Sequence, residues 1–185
     1  MNHKQGVQMI THIELLETLL QRYLQVLGAD YRGYRNHVYR VLNFCSLVMP
    51  LDASQLEKLA IAGAFHDLGI WTDKTFDYLD PSERLALTFL QETGRHAWSE
   101  EVMAMIHHHH KITPVQGDAP ALVEAFRKGD WIDVTHGLFA YGVSRKQRKE
   151  VFAQFPDAGF HRRLLQLSFK RLLTHPLSPL PMMKL

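Results

Sequence analysis

The amino-acid sequence predicts an all-α protein, a compact bundle of about seven to eight helices. Apolar residues recur at intervals of three and four positions over most of the 185 residues, which is the spacing of one face of an α-helix. No stretch alternates apolar and polar residues between turn signals, as a half-buried β-strand would. Boundary residues separate the periodic segments, and they define the elements in order.

The first two predicted helices are separated by a break at "GAD", residues 28–30. The first helix covers about residues 8–27 and the second about residues 34–49. The second ends before Pro50, because proline disfavours helical geometry in the residue that precedes it.

The third and fourth helices have polar residues at their predicted starts. Asp52 is expected to cap the third helix, which ends at Gly69, a residue that tolerates the left-handed conformation found after helix C-termini. The sequence "DPSE" at 80–83 is expected to start the fourth, with the aspartate as N-cap, proline at the first helical position and glutamate at the third.

The second half of the chain contains four further predicted helices. Ser99 opens the fifth, "SEEVMAMIHHHHKI". Asp118 precedes the sixth, "APALVEAFRKGDWIDV", in which Gly129 is expected to loosen the helix. Two more helices and an extended, proline-containing tail follow, over residues 144–155, 159–175 and 176–185.

Length and composition predict a single domain over residues 1–185. The net charge of +2 is too small to indicate a nucleic-acid partner. Cys45 is the only cysteine, which excludes an intrachain disulfide and favours a reducing compartment. The sequence has no leader pattern and no apolar run of about 20 residues. We therefore expect a cytoplasmic protein with no membrane partner, and a homo-oligomer is compatible with this composition.

On several helices, the row of apolar residues that forms the buried face is followed on the same face by a side chain that can bind a metal. These are His37 on the second helix, His66 and Asp67 on the third, His109 and, less centrally, His110 on the fifth, and Asp130 on the sixth. A buried aspartate is unfavourable unless it is paired or coordinates a cation. Imidazole and carboxylate groups together suit first-row divalent ions. Any one of these residues alone is more simply a hydrogen-bonded core residue, so the indication comes from the set.

The order of these residues is similar to that in the HD-domain superfamily of metal-dependent phosphohydrolases. The resemblance covers about residues 31–135 and rests on "YRGYRNHVYRVLNFC", "LAIAGAFHDLGIW", "MIHHHHKI" and "FRKGDWIDV". It implies a helical bundle in which one histidine, an adjacent His-Asp pair and a distant aspartate bind a divalent metal. The matching residues are His37, His66, Asp67 and Asp130. The resemblance implies one divalent ion, and Mn, Fe, Co, Ni, Zn and Mg are all compatible with this ligand set.

Many members of the superfamily also carry a histidine pair, which here matches His109 and His110. In the family such histidines bind a second metal or stabilise the phosphate and the leaving group. Members with two metals usually have a further histidine at the start of the preceding helix, where this chain reads "LDPSERLAL". His96 is the only nearby substitute, so we expect a single ion.

Two departures from the family argue against particular substrates. Ile70 and Trp71 stand where the guanosine tetraphosphate hydrolases carry an acidic pair. The Gly-Tyr-Pro signature of the cyclic dinucleotide hydrolases is absent after "HHHHK". Neither activity is expected for this chain.

The predicted function is hydrolysis of a phosphoester, in a nucleotide or another small phosphorylated molecule, by a metal-activated water. Asp67 is expected to bind the metal and orient that water. His109 or His110 would protonate the leaving oxygen or hold the phosphate. The candidate phosphate contacts are Lys111, Arg127 and Arg40. Trp71, Phe76 and Tyr78 follow the His-Asp pair and either wall a substrate ring or simply pack the loop.

Two alternatives from other classes stay open. The first is an iron-dependent oxygenase, since some HD-domain proteins use two irons for oxidative cleavage; it needs further ligands from His96 and residues 107–110. The second is a regulatory or binding module in which the metal is structural.

Overall fold

The computed structural model describes residues 8–115 and 120–177, and over these ranges the chain is all-α, as predicted. Ten α-helices and two 3₁₀ turns, Gly28–Asp30 and His96–Trp98, are present there without a β-strand. Eight of these α-helices are longer than one turn, which agrees with the predicted number. The α-helices are α1 (Glu14–Arg22), α2 (Leu24–Leu27), α3 (Tyr31–Val48), α4 (Ala53–Phe65), α5 (Gly69–Thr72), α6 (Leu79–Glu92), α7 (Ser99–His108), α8 (Ala121–Val134), α9 (Arg145–Gln154) and α10 (Phe160–Thr174).

The first predicted helix is shorter than expected and is interrupted. Helix α1 ends at Arg22. The backbone N–H of the next residue, Tyr23, donates to the carbonyl of Leu20 and tightens the last turn. The single turn α2 and the 3₁₀ turn at Gly28–Asp30 follow. Helix α3 therefore begins at Tyr31, three residues before the predicted start.

Gly69 does not end a helix, contrary to the prediction. Helix α4 is capped at its start as predicted, since Asp52 accepts a hydrogen bond from the backbone N–H of Gln55 at 2.8 Å, but it ends at Phe65. Gly69 begins α5 and does not have a positive φ. A Cβ atom there would lie 2.6 Å from the carbonyl oxygen of Tyr78, so glycine is required by the close approach of α5 to the start of α6.

The predicted cap at Asp80 is also wrong. Helix α6 begins at Leu79 and has no side-chain cap, so Asp80 and Pro81 occupy its second and third positions. Proline is tolerated there because the first N–H groups of a helix have no intrahelical acceptor. Asp118, which precedes the sixth predicted helix, and most of the predicted tail, residues 178–185, lie outside the described residues.

Helix α3 is the central helix of the bundle and packs most extensively on α8. Helix α8 runs through Gly129 without a break, so the predicted loosening is wrong. A Cβ atom at Gly129 would lie 2.8 Å from both the Sγ of Cys45 and the carbonyl oxygen of Val41. The glycine thus allows the two helices to approach closely. No helix within the described ranges has the length and apolar character needed to cross a bilayer.

Replacement of Gly129 by alanine separates close packing from helix propensity. Propensity alone would stabilise the helix by about 1 kcal/mol. The steric conflict with α3 is expected to outweigh this gain and lower the free energy of unfolding by about 2 kcal/mol, as measured by denaturant unfolding. The control Lys128→Ala, at the adjacent half-buried position, should change that free energy by less than about 0.5 kcal/mol. A Gly129→Ala variant more stable than wild type would contradict this packing argument.

Candidate metal centre

The six histidines and aspartates that the sequence singled out meet at the centre of the bundle. His37 lies in α3 and Asp130 in α8, whereas the two pairs follow directly after the ends of α4 and α7. All are buried except His110, whose side chain is 16% exposed. The cluster therefore reaches solvent on the His110 side.

Three groups of these side chains place their ligand atoms within 4.8 Å of one another: His37, His66 and Asp130; His66, Asp67 and His109; and His109, His110 and Asp130. The Nε2 atoms of His37 and His66 are 2.9 Å apart. The Oδ1 of Asp130 lies 3.6 Å from the first and 3.8 Å from the second. The carboxylate of Asp67 lies 3.4 Å from the Nε2 atoms of both His66 and His109.

Hydrogen bonds at the other ring nitrogen set the tautomer of three of these imidazoles. The Nδ1 of His66 lies 2.8 Å from the carbonyl of Gly63, and that of His109 lies 2.6 Å from the carbonyl of Ile106. Because a carbonyl oxygen only accepts, each Nδ1 carries the hydrogen. The Nδ1 of His37 donates in the same way to Asp133 at 2.6 Å. In its neutral form, each of these three rings therefore directs an unprotonated Nε2 into the cluster.

This arrangement leaves the lone pairs of the His37 and His66 Nε2 atoms facing each other. A proton between His37 and His66 would make one ring cationic, but burial lowers the pKa of both, to about 3 for His66. Neither oxygen of Asp130 nor the Oδ1 of Asp67 has a hydrogen-bond partner among the described residues. Burial raises the pKa of Asp130 well above its ordinary range. A cation bound between these nitrogens and oxygens would satisfy all of them, so the residues present fit a divalent metal.

Asp133 is a functional residue that the sequence analysis missed. Its carboxylate accepts from His37 and, in a bidentate pair, from the Nε and Nη2 of Arg40 at 2.5 and 2.9 Å. Burial opposes ionisation, but these partners hold the pKa of Asp133 well below its ordinary value. Carboxylates in this position orient a histidine that binds metal. The sequence contained a signal for Asp133, because this residue lies three positions after Asp130 and hence on the same face of α8.

The two arginines predicted to contact phosphate have protein partners instead. Arg40 is fully buried on Asp133 and also donates to the carbonyl of Phe155. Arg127 is buried too, pairing with Glu124 and donating to the carbonyl of Lys111. These guanidiniums stabilise the structure around the cluster, and their role as phosphate contacts stays a prediction.

The remaining predicted residues divide between the cluster and the surface. Lys111 is half-buried directly after His110, and its role as a phosphate contact stays a prediction. His96 is exposed in the 3₁₀ turn and belongs to none of the three groups. His107 bonds to Glu83. Tyr78, expected either to wall a substrate ring or to pack the loop, is buried, and its hydroxyl lies 2.5 Å from the Nε2 of His110.

Removal of one carboxylate tests whether the cluster binds a metal. Saturating Mn²⁺ or Co²⁺ should raise the melting temperature of the wild-type protein, because a ligand that binds only the folded state stabilises it. The Asp130→Asn variant should show no such rise, and its metal content after dialysis should fall sharply, as should that of Asp67→Ala. The control His175→Ala, at an exposed position, should bind metal as the wild type does. Equal metal content in all four proteins would rule out these ligands.

Loss of the Asp133 carboxylate should weaken metal binding without removing a ligand. We expect Asp133→Asn to raise the dissociation constant about 10–100-fold, measured by competition with a chelator on protein whose helicity is checked by circular dichroism. Asp157→Asn is the matched control, because Asp157 bonds to His161, a histidine outside the three groups. If both variants bound metal with wild-type affinity, Asp133 would have no orienting role.

Comparisons of this chain with protein families, curated proteins and solved structures find no match. The likeness to the HD-domain superfamily accordingly rests on the four sequence segments and their order. What the described residues add is a buried group of imidazoles and carboxylates that could hold a metal ion.

Proposed function

We propose that the chain is a metal-dependent phosphohydrolase of the HD-domain superfamily that cleaves a phosphoester in a nucleotide or another small phosphorylated molecule. The observation that carries the proposal is the convergence of three Nε2 atoms on two buried aspartates. Neither oxygen of Asp130 nor the Oδ1 of Asp67 has a hydrogen-bond partner among the described residues. Residues that match the superfamily motif in order supply this group.

In this proposal His37, His66, Asp67 and Asp130 bind one divalent ion. A bound divalent ion polarises a phosphoryl oxygen and lowers the pKa of a coordinated water to near neutrality. The two carboxylates balance the ion's charge, and Asp133 holds the His37 ring in its tautomer. The substrate approaches from the His110 side, because that is where the cluster is exposed.

His110 is placed to donate a hydrogen bond to the substrate. Burial raises the pKa of Tyr78 well above its ordinary range, so its hydroxyl stays protonated. The hydroxyl lies 2.5 Å from the Nε2 of His110, and in this proposal it donates its hydrogen to that nitrogen. The hydrogen of the neutral His110 ring is then on Nδ1, which lies 3.7 Å from the Oδ2 of Asp130. A ring so oriented presents its N–H beside the cluster, where it would stabilise a phosphoryl or leaving-group oxygen.

His109 is the second candidate proton donor. Burial alone would lower its pKa, but the nearby carboxylates of Asp67 and Asp130 outweigh burial and raise the pKa above the ordinary value. A protonated His109 ring can transfer a proton to a leaving oxygen. Its Nε2 atom has no hydrogen-bond partner among the described residues.

A panel of phosphate esters and nucleotides, tested with Mn²⁺, Co²⁺ and Ni²⁺, examines this proposal. The wild type should release phosphate or cleave a diester on at least one compound. Asp67→Ala should lower that rate by at least about 100-fold, as expected for loss of a metal-binding or water-orienting group. His175→Ala should retain the wild-type rate. If the wild type is no more active than Asp67→Ala on every compound, the site serves a structural or regulatory role, the non-catalytic alternative.

One observation favours the iron-dependent oxygenase as a second candidate. His109, His110 and Asp130 form a third group, which shares Asp130 with the first group and His109 with the second, so a second ion would lie beside the first and share ligands with it. Iron analysis separates the candidates: two irons per chain, together with consumption of oxygen and no release of phosphate, would replace the hydrolase with the oxygenase. The hydrogen bond between Tyr78 and His110 favours the single ion, because it occupies the Nε2 of His110. That nitrogen is then not free to bind a second metal.

A further inference from the structure

A groove of about 470 Å³ lies between α10 and the segment that follows the His-Asp pair. This volume is typical of small-molecule sites, which measure about 300–1,000 Å³. The apolar part of its lining consists of Val26, Ile70, Trp71, Phe76 and Leu167. Two threonine hydroxyls, of Thr75 and Thr174, complete the uncharged lining.

The charged part of the lining is entirely basic. It comprises Lys74, Arg163, Lys170 and Arg171, without an aspartate or glutamate. Neither lysine forms an ion pair within the described part of the chain, whereas the Nε of Arg163 lies 3.1 Å from Asp30. Like charges gathered in this way repel one another, so a bound anion would stabilise the groove.

The position of Lys74 adds a second indication. Its φ is 54°, in the left-handed region, which is unfavourable by about 1 kcal/mol for a residue with a Cβ atom. Strained backbone of this kind is concentrated at binding and catalytic sites. Here it places a lysine on the rim of a groove whose other wall carries Arg163 and Lys170.

Two aromatic rings separate this groove from the candidate metal centre. The Trp71 ring lies 5.0 Å from that of Tyr34, which in turn stacks on His66 at 6.1 Å between centroids. Trp71 is 7% exposed and Tyr34 is fully buried, so the two rings form a closed wall. A molecule in the groove would touch Trp71 and would not touch the histidines.

We propose that the groove is a second binding site, separate from the metal cluster, for an organic anion that joins a phosphate group to an apolar ring or chain. Trp71 and Phe76 would contact the apolar portion, and Lys74 and Lys170 would bind the phosphate through charge-assisted hydrogen bonds. Since the site does not include the cluster, it does not depend on the proposed hydrolase activity.

Calorimetry on the metal-free, full-length protein tests this site with naphthylmethylphosphonate, whose carbon–phosphorus bond resists hydrolysis. We expect saturable binding to the wild type, and weaker binding of inorganic phosphate, which lacks the ring. The double variant Lys74→Gln/Lys170→Gln should raise the dissociation constant at least about tenfold. The matched control Lys146→Gln/Lys149→Gln removes two exposed lysines around α9 and should leave it within about twofold.

Three results would overturn the second site. The first is no saturable binding of the probe to the wild type, and the second is equal binding to the Lys74→Gln/Lys170→Gln variant. The third is loss of binding in Asp67→Ala, which would place the probe at the metal cluster instead. Wild-type affinity in Asp67→Ala, even if that variant and the wild type both lack hydrolase activity, would support the groove on its own. If inorganic phosphate bound as tightly as the probe, the apolar residues would contribute nothing to binding, and the proposed ligand class would be wrong.

Discussion

The structure depends on a group of buried charges and lone pairs that the chain itself does not neutralise. Asp67 and Asp130 are buried carboxylates beside imidazoles whose other nitrogen already donates elsewhere. A buried carboxylate without donors is costly, because it loses its hydration and gains no hydrogen bond. Binding of a cation would remove that cost in the folded state alone. Folding and metal binding are therefore expected to be linked, so that the affinity of the cluster for metal contributes to the stability of the bundle.

The bundle brings these ligands together by close approach of its helices to α3. At Gly63 in α4, a Cβ atom would lie 2.8 Å from the Cγ1 of Val38, and at Gly129 in α8 it would meet Cys45 at the same distance. Larger residues would move both helices outwards. Since His66 follows α4 and Asp130 lies one residue beyond Gly129, the same packing that closes the core sets the spacing of the cluster.

The sequence predicted the parts of the structure that depend on periodicity within one helix. Apolar spacing gave the all-α class and identified His109 and Asp130 as inward residues, because a stripe on one helix continues regardless of its neighbours. Predictions of helix boundaries failed where packing against a neighbouring helix determines the residue at which a helix begins or ends. Gly69 matched a helix stop and Asp80 a cap, but the contact between α5 and α6 determined both positions.

The roles of charged residues were harder to predict for a related reason. Arg40, one turn from His37, and Arg127 were candidate phosphate contacts, and a solvated surface position was the competing expectation for Arg127. Both are buried, and each has an acidic partner, Asp133 and Glu124 respectively. The pairing of Arg40 with Asp133 joins residues that are 93 positions apart, so no local pattern reveals it. Long-range ion pairs of this kind follow from the packing of whole helices, which one sequence does not specify.

The segment that follows the His-Asp pair shows how one short stretch serves two sites. Asp67 points into the cluster, whereas Ile70 and Trp71, one turn later, line the basic groove. These are the two positions at which the resemblance implies acids in guanosine tetraphosphate hydrolases. Acidic side chains there would join the same lining as Lys74 and Arg163 and offset part of its positive charge. The apolar residues add no acidic group to the lining of the groove, so the departure from the family pattern coincides with the basic surface that we propose binds a further anion.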